Sequence, residues 1–286
     1  MDAPYNQVLF PVSFQELFTV WSRFPDAIPH AGGTNLIRRA LHTSVFLCLD
    51  NIEELSRITR TEHYLEIGSM VKLSKLINLG KIVPQTLRSC LNNIAGVQLR
   101  NTAAIGGNIC STLRLLDLPA ALTALDAQYE LRSNQSSRWI SASRFHSVEY
   151  DSLAKGSLEN RYKVCNALNK QELLTRIRLP LHQWNYAVYK KFYCEDQNIS
   201  ELLFFLARTQ KNILSEIRVL FKGNTILRNK SCEDILNGKS LPLSKRTTDE
   251  FIEGWKEFLA PKHELSEFLK NSLINSIEEN IYNLSE

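Results

Sequence analysis

The 286-residue chain lacks several patterns that mark large classes of proteins. No apolar run reaches the roughly 18 residues that a membrane-spanning helix needs, so we expect no membrane insertion. The N-terminus has no basic stretch before an apolar segment, and we therefore expect no secretory signal and a cytoplasmic location. Positive charge is not concentrated either. The net charge is +4 and the Lys and Arg residues are dispersed, which argues against nucleic-acid binding.

Motifs for metal binding and for common enzyme classes are also missing. The six cysteines contain no Cys-x-x-Cys pair and the six histidines are scattered, so we predict free thiols and no metal site on this chain. The absence of Gly-x-Gly-x-x-Gly, His-Glu-x-x-His and Gly-x-Ser-x-Gly argues against a Rossmann nucleotide site and against simple hydrolases. Residues 238–240 (GKS) resemble the end of a phosphate-binding loop, but Glu233 stands where the first glycine of that loop is required.

Hydrophobic periodicity predicts a chain of mixed helices and strands. Ser13 and Glu16 have the spacing of a capping box at the start of a helix over 13–23. Residues 147–169 have weak periodicity and are predicted to be a mobile segment or a crossing between subdomains. Further strands are predicted at 45–49, 64–68, 129–131, 139–140, 173–179, 186–192, 202–207 and 217–221, and further helices at 72–79, 85–95 and 119–127.

The C-terminal part predicts a second domain of strands followed by helices. The element order favours an α+β protein whose C-terminal domain begins near residue 178. An apolar stripe near the end of the chain predicts a helix that covers a sheet. The stripe consists of Leu265, Phe268, Leu269, Leu273, Ile274, Ile277 and Ile281.

Two glycine pairs, at 32–33 and 106–107, organise the N-terminal part. Because glycine has no Cβ, its backbone can adopt positive φ and come close to a ligand. Successive exposed N–H groups can then form a concavity that binds an anion. A tight turn explains a single pair equally well. Two such segments, the second leading to a helix start near Asp117, predict loops that close on one negatively charged ligand.

The second pair lies in a longer and more specific motif. Residues 94–109 (IAGVQLRNTAAIGGNI) and their continuation over 117–127 closely resemble the FAD-binding signature of the molybdenum hydroxylase family. Residues 31–36 (AGGTNL) match the first FAD loop of that family, in which Asp is usual at the position of Asn35. The resemblance continues through 173–180 and covers most of the chain, with the poorest match after residue 240.

The resemblance implies both a fold and a function. The fold is a two-subdomain FAD-binding fold of the PCMH type over 1–177, with subdomains 1–57 and 58–177, followed by a C-terminal domain over 178–286 like that of the carbon monoxide dehydrogenase flavoprotein. The function is that of the FAD-binding medium subunit of a xanthine dehydrogenase-like enzyme. Its expected partners are a molybdopterin-binding large subunit and a 2Fe–2S small subunit, from which FAD would pass electrons to NAD+ or another acceptor.

The resemblance also implies a set of FAD contacts, and no catalytic acid or base. Amides of the first loop would hold the pyrophosphate, and the second glycine pair would line the other side. Asp117 would accept hydrogen bonds from sugar or ribityl hydroxyls, because a carboxylate is a strong acceptor. The full expected set is Ala31, Gly32, Gly33, Thr34, Asn35, Leu36, Ile94, Ala104, Gly106, Gly107, Asn108, Ser111, Asp117, Leu174 and Lys190.

Several residues admit a structural interpretation beside the functional one. Asp117 is also a candidate helix N-cap, Leu174 a candidate core residue and Lys190 a candidate exposed lysine. Ala104 stands where the family commonly has Thr or Ser, and the segment around Arg114 departs from the family pattern. Two alternatives therefore stay open. The chain is a non-catalytic scaffold subunit that has lost FAD, or it is a self-sufficient flavin oxidoreductase.

Overall fold

The computed structural model describes residues 7–36, 45–112, 115–150, 162–192, 201–262 and 265–285. The chain divides into two compact units, Met1–Leu181 and His182–Glu286. Among the described residues, no helix combines the length and the apolar character that crossing a membrane requires.

The first unit begins with a small parallel sheet and a helix. The helix α1 spans Phe14–Arg23 and buries Leu17, Phe18 and Trp21. The sheet has the strand order β1-β3-β2, and both neighbouring pairs are parallel. Its strands are β1 (Gln7–Leu9), β2 (Ile28–His30) and β3 (Val45–Cys48).

The predicted N-cap of α1 is confirmed in part. The Ser13 side chain accepts a hydrogen bond from the Glu16 amide, as the capping-box spacing predicts. The Glu16 carboxylate accepts from the amide of Val12, at 2.8 Å, and not from that of Ser13. The cap therefore satisfies one amide inside the helix and one just before it.

A five-stranded antiparallel sheet forms the centre of the first unit, in the order β4-β5-β10-β6-β7. Strand β10, the predicted strand over 173–179, lies in the middle and pairs with β5 and β6. Six short helices occur in the same unit. The strands are β4 (Ile58–Arg60), β5 (Tyr64–Gly68), β6 (Gln128–Arg132), β7 (Ser137–Ser141) and β10 (Leu173–Pro180), and the helices are α2 (Leu73–Asn78), α3 (Gln85–Asn92), α4 (Val97–Thr102), α5 (Ile105–Ile109), α6 (Asp117–Ala124) and α7 (Ala142–Phe145).

The weakly periodic stretch over 147–169 contains regular structure at both ends. Strand β8 (His146–Tyr150) pairs with β9 (Tyr162–Asn166) as an antiparallel two-stranded sheet. The expectation of a mobile segment or a crossing between subdomains stays a prediction, although the ends of the stretch form paired strands. Ladder hydrogen bonds join the two strands although neither strand has strict apolar alternation. Residues 151–161 lie outside the described part of the chain.

The second unit is an antiparallel sheet with helices. The strand order is β11-β12-β13-β14, so each strand pairs with its neighbour in sequence. The predicted apolar stripe is buried in the core of this unit except at Phe268, which is 81% exposed. Phe268 precedes Leu269 by one residue and is rotated about 100° from the buried face of the helix. The elements are β11 (Tyr186–Phe192), β12 (Glu201–Gln210), β13 (Ile213–Lys222), β14 (Ile226–Arg228), α8 (Lys230–Leu236), α9 (Lys245–Leu259) and α10 (Glu267–Ser285).

A buried carboxylate ties the central strand β10 to its neighbour β6. Glu130 accepts two hydrogen bonds from the Arg176 guanidinium, both at 2.8 Å, and a third from the Thr175 hydroxyl at 2.7 Å. The bidentate hydrogen bond from Arg176 lowers the pKa of Glu130 from its ordinary value. The charge of Glu130 therefore stabilises the sheet.

We predict that Glu130→Gln lowers the free energy of unfolding by about 1–3 kcal/mol at neutral pH, as expected for hydrogen bonds to a charged group. The folded-state pKa of Glu130 is depressed, so its contribution is present above the ordinary pKa of 4.5 and is lost as the pH falls through the folded value. Urea unfolding should therefore show a difference between wild type and variant that shrinks in acid. Exposed Glu250→Gln is the control, and a difference that does not change with pH contradicts the prediction.

Candidate functional site

The first glycine pair occupies a left-handed turn that directly follows β2. Gly32 has φ of 72° and Gly33 has φ of 67°. A Cβ on Gly32 would lie 2.3 Å from the carbonyl oxygen of Thr102, and a Cβ on Gly33 would lie 2.6 Å from Nε2 of His30. Both positions therefore favour glycine for its backbone conformation, and Gly32 also for the space it leaves beside a neighbouring backbone.

The second glycine pair is helical, and the expectation of a second open loop is wrong. Gly106 and Gly107 lie within α5, and neither has positive φ. The Gly106 amide donates to the carbonyl of Ser69 at 2.8 Å. A Cβ on Gly106 would lie 2.6 Å from the Ser69 Cβ and 2.9 Å from its carbonyl oxygen. Glycine is needed here because a helix and a neighbouring backbone come into direct contact.

The structure nevertheless brings the two glycine segments together. The Asn35 side-chain amide donates to the Ser111 hydroxyl at 2.6 Å, which joins the first turn to the residues after α5. A Cβ on Gly107 would lie 3.4 Å from the carbonyl oxygen of Ala31, an ordinary to tight contact. The hydrogen bond shows that the segments carrying Asn35 and Ser111 are neighbours in the fold, while their contacts with FAD stay a prediction.

Asn108 gives a test of whether this neighbourhood suits a polar ligand. Its side-chain oxygen is buried and has no hydrogen-bond partner among the residues that the structure describes. A buried acceptor without a hydrogen-bond partner lowers the free energy of unfolding by about 1–3 kcal/mol. The amide of Asn108 donates to the Ala104 carbonyl at 3.1 Å, so the backbone of this residue is held while its side-chain oxygen has no donor among the described residues. The residues present therefore fit a hydroxyl- or amide-bearing ligand at this point.

Asp117 is the first residue of α6, and Leu116 is the N-cap. The N-cap interpretation of Asp117 is therefore wrong by one residue. The carboxylate is half-buried and stands in the first turn, where the helix dipole stabilises negative charge by about 0.3–1 kcal/mol. Its expected role as an acceptor for cofactor hydroxyls stays a prediction.

Two of the expected contact residues are deep in the protein. Ala104 is 1% exposed and packs in an apolar cluster with Leu17 and Met70, and Leu174 is 2% exposed in β10. Leu174 pairs with Leu131 beside an irregularity in the β10–β6 register. The core interpretation thus accounts for both side chains as they stand, and their contact with FAD stays a prediction.

Ile94 lies half-buried in a segment that one arginine holds in place. The Arg100 guanidinium donates to the carbonyls of Asn92, Ile94 and Ala95 at 3.1, 3.1 and 2.7 Å. Ala95 has φ of 50°, an uncommon conformation for a residue with a side chain. Arg100 was not among the predicted site residues, because carbonyl acceptors leave no trace in a sequence pattern.

Lys190 belongs to the second unit. Its amine donates to the Ser276 hydroxyl at 2.9 Å and lies 3.6 Å from the Glu279 carboxylate. Its side chain is 43% exposed, so these contacts are worth little individually. The expected role of Lys190 near the cofactor stays a prediction.

Comparison with known proteins adds a family match to this geometry. The family model described as "FAD binding domain in molybdopterin dehydrogenase" matches residues 4–182. The nicotine 6-hydroxylase medium subunit of Paenarthrobacter nicotinovorans is 25% identical over 252 residues, which cover 84% of this chain and 83% of that subunit. Xanthine dehydrogenase 2 of Arabidopsis thaliana is 26% identical over 258 residues, which cover 80% of this chain but only 18% of that protein.

Solved structures share the fold over almost the whole chain. The quinoline 2-oxidoreductase structure from Pseudomonas putida 86 gives a TM-score of 0.75 at 22% identity and covers 100% of this chain and 98% of its own. A Cu,Mo-CO dehydrogenase structure gives a TM-score of 0.74 at 20% sequence identity. The match covers 99% of this chain and 97% of the chain in that structure. These matches confirm the predicted fold class.

We predict that Gly106→Ala destabilises the protein by about 1–3 kcal/mol, the usual cost of forcing an extra methyl group into a packed position. The contact atoms include the Ser69 backbone, which cannot move aside as a flexible side chain would. Thermal unfolding measures the effect. The control is Gly96→Ala, whose Cβ would meet only the end of the Gln98 side chain at 3.4 Å. Equal stability of the two variants would contradict this account of Gly106.

Proposed function

Since the chain belongs to the family of FAD-binding domains in molybdopterin dehydrogenases, we propose that it is the FAD-binding medium subunit of a multi-subunit molybdenum hydroxylase. The family predicted from residues 31–36 and 94–109 is thereby confirmed. The match to a medium subunit over 83% of that subunit's length supports a separate flavin subunit.

The proposal rests on one observation. The segment of the Gly32–Gly33 turn and the segment that contains Asn108 lie next to each other in the fold. The two segments are joined by the hydrogen bond between Asn35 and Ser111, and beside it the Asn108 side-chain oxygen is buried without a partner among the described residues. A turn with two successive left-handed residues can present amides to an anion. We assign the pyrophosphate of FAD to this turn and a donor group of FAD to Asn108.

Each of the remaining residues has a binding or positioning task in this proposal. Asp117 accepts hydrogen bonds from cofactor hydroxyls, and the hydrogen bond from Asn35 to Ser111 holds the two segments of the site together. When bound, FAD supplies the redox chemistry, namely the uptake and release of electrons. The chain contributes orientation and electrostatic surroundings, and the proposal requires no acid or base from it.

The burial of Ala104 bears on the alternative in which FAD has been lost. The family commonly has a hydroxyl residue there, but the Ala104 side chain packs among apolar core residues. A missing hydroxyl at a position that faces the core removes no contact from the surface of the site. The missing hydroxyl at this position is therefore no argument that FAD has been lost.

The proposal extends to the partners and to the acceptor. Electrons would arrive from a 2Fe–2S small subunit, which receives them from a molybdopterin-binding large subunit that acts on the substrate. NAD+ or another acceptor would take the electrons from FAD. The resemblance of the chain to xanthine dehydrogenases supports this extension.

FAD titration of the apo chain tests the cofactor proposal. We expect a flavin absorption spectrum after reconstitution and a dissociation constant near micromolar or tighter, equivalent to about −8 kcal/mol. Asn108→Ala and Asp117→Ala should each weaken binding by roughly tenfold, because each removes a polar contact worth about 1–2 kcal/mol. The matched control is Asn92→Ala at an exposed position of α3, which should bind FAD like wild type. Folded wild-type protein that takes up no FAD, alone or with its partner subunits, refutes the proposal.

A separate experiment tests which molecule accepts electrons from the reduced flavin. The FAD-loaded complex is reduced with dithionite under anaerobic conditions and mixed with NAD+ in a stopped-flow instrument. We expect NADH to form while the flavin is reoxidised. Reoxidation by a quinone analogue but not by NAD+ would remove NAD+ from the proposal and leave the FAD assignment intact.

A further inference from the structure

Three side chains of different chemical type converge beside the first glycine turn. His30 is the last residue of β2 and Cys48 is the last residue of β3, and the two are direct partners in the parallel register. Asp50 follows two residues after Cys48. One ligand atom from each of the three side chains lies within 4.8 Å of the others.

Within this cluster, the two carboxylate oxygens of Asp50 face different groups. The Cys48 thiol donates to Oδ2 of Asp50 at 3.2 Å, and the Lys72 amine lies 3.7 Å from Oδ1. Cys48 is 8% exposed, His30 is half-buried and Asp50 is exposed. The cluster is therefore held within the fold on the Cys48 side and accessible to an ion from solvent on the Asp50 side.

We propose that His30, Cys48 and Asp50 form a binding site for a divalent ion of the zinc type. Thiolate, imidazole and carboxylate are the three side-chain ligands that zinc uses, usually in tetrahedral geometry. Calcium and magnesium prefer oxygen ligands alone, so the sulfur and the nitrogen select against them. Three protein ligands leave one tetrahedral position for water or for a small anion.

The His30 ring connects the proposed ion site to the glycine turn. The His30 ring lies against Gly33, where a Cβ would be 2.6 Å from Nε2. An ion held by Cys48 and Asp50 would fix this ring through its coordination bond. The ring would then hold the Gly33 turn more rigidly, whether or not a cofactor is bound there.

Titration of the apo chain with Co²⁺ tests the site without FAD. We expect one ion per chain, with visible tetrahedral bands and a near-ultraviolet sulfur-to-cobalt charge-transfer band that Zn²⁺ abolishes by displacement. Cys48→Ser should lose the charge-transfer band, and His30→Gln and Asp50→Asn should weaken binding by tenfold or more. Cys165→Ser, at a half-buried cysteine of β9, is the matched control and should keep the band. A band that persists in Cys48→Ser, or no binding at millimolar metal, overturns the proposal.

Two measurements on the wild-type chain keep the test decisive if a variant fails to fold. The zinc X-ray absorption spectrum should show one sulfur at about 2.3 Å together with nitrogen and oxygen ligands at about 2.0–2.1 Å. A shell without sulfur, or with several sulfurs, excludes this site. Hydrogen exchange of the amides over 32–35 should slow when Zn²⁺ is added. Unchanged exchange with confirmed zinc binding would refute the link to the turn while leaving the ion site in place.

Discussion

The candidate site depends on backbone contacts that leave no room for a side chain. The Gly32 turn meets the carbonyl of Thr102, and Gly106 meets the backbone of Ser69. Because these atoms cannot move aside independently, the spacing between the first turn and helix α5 is set by the chain itself and not by adaptable side chains. The hydrogen bond from Asn35 to Ser111 joins the segment of the first turn to the residues after α5.

The central sheet supports this spacing from within the same unit. Strand β10 pairs on both sides, and the Glu130 carboxylate anchors it to β6 through Arg176 and Thr175. The Ser69 amide donates to the Thr175 carbonyl at 3.0 Å, and the Ser69 carbonyl in turn accepts from Gly106. A continuous chain of hydrogen bonds thus runs from the ionic network of the sheet to the second glycine pair.

The first turn is supported in a different way. It leaves the end of β2, where His30 pairs with Cys48 and packs against Gly33. The polar groups next to it, Cys48, Asp50 and Lys72, form a small cluster at the carboxyl end of the central strand β3. The turn therefore meets a backbone carbonyl at Gly32 and the His30 ring at Gly33, whereas Gly106 in α5 meets the Cβ and the backbone of Ser69. That difference makes the turn the part of the site that an ion could influence.

The sequence by itself determined the family, the α+β class and most of the elements, because apolar periodicity and a long glycine-containing motif are local properties of the chain. It also named Asn35 and Ser111, which a hydrogen bond joins in the structure, while the contacts with FAD stay a prediction. Only the tertiary structure showed that Gly106 is helical, that Asn108 has a buried oxygen without a partner among the described residues, and that His30, Cys48 and Asp50 converge. Close approaches, burial and parallel strand register join residues far apart in the chain, and no spacing rule records which of them will meet.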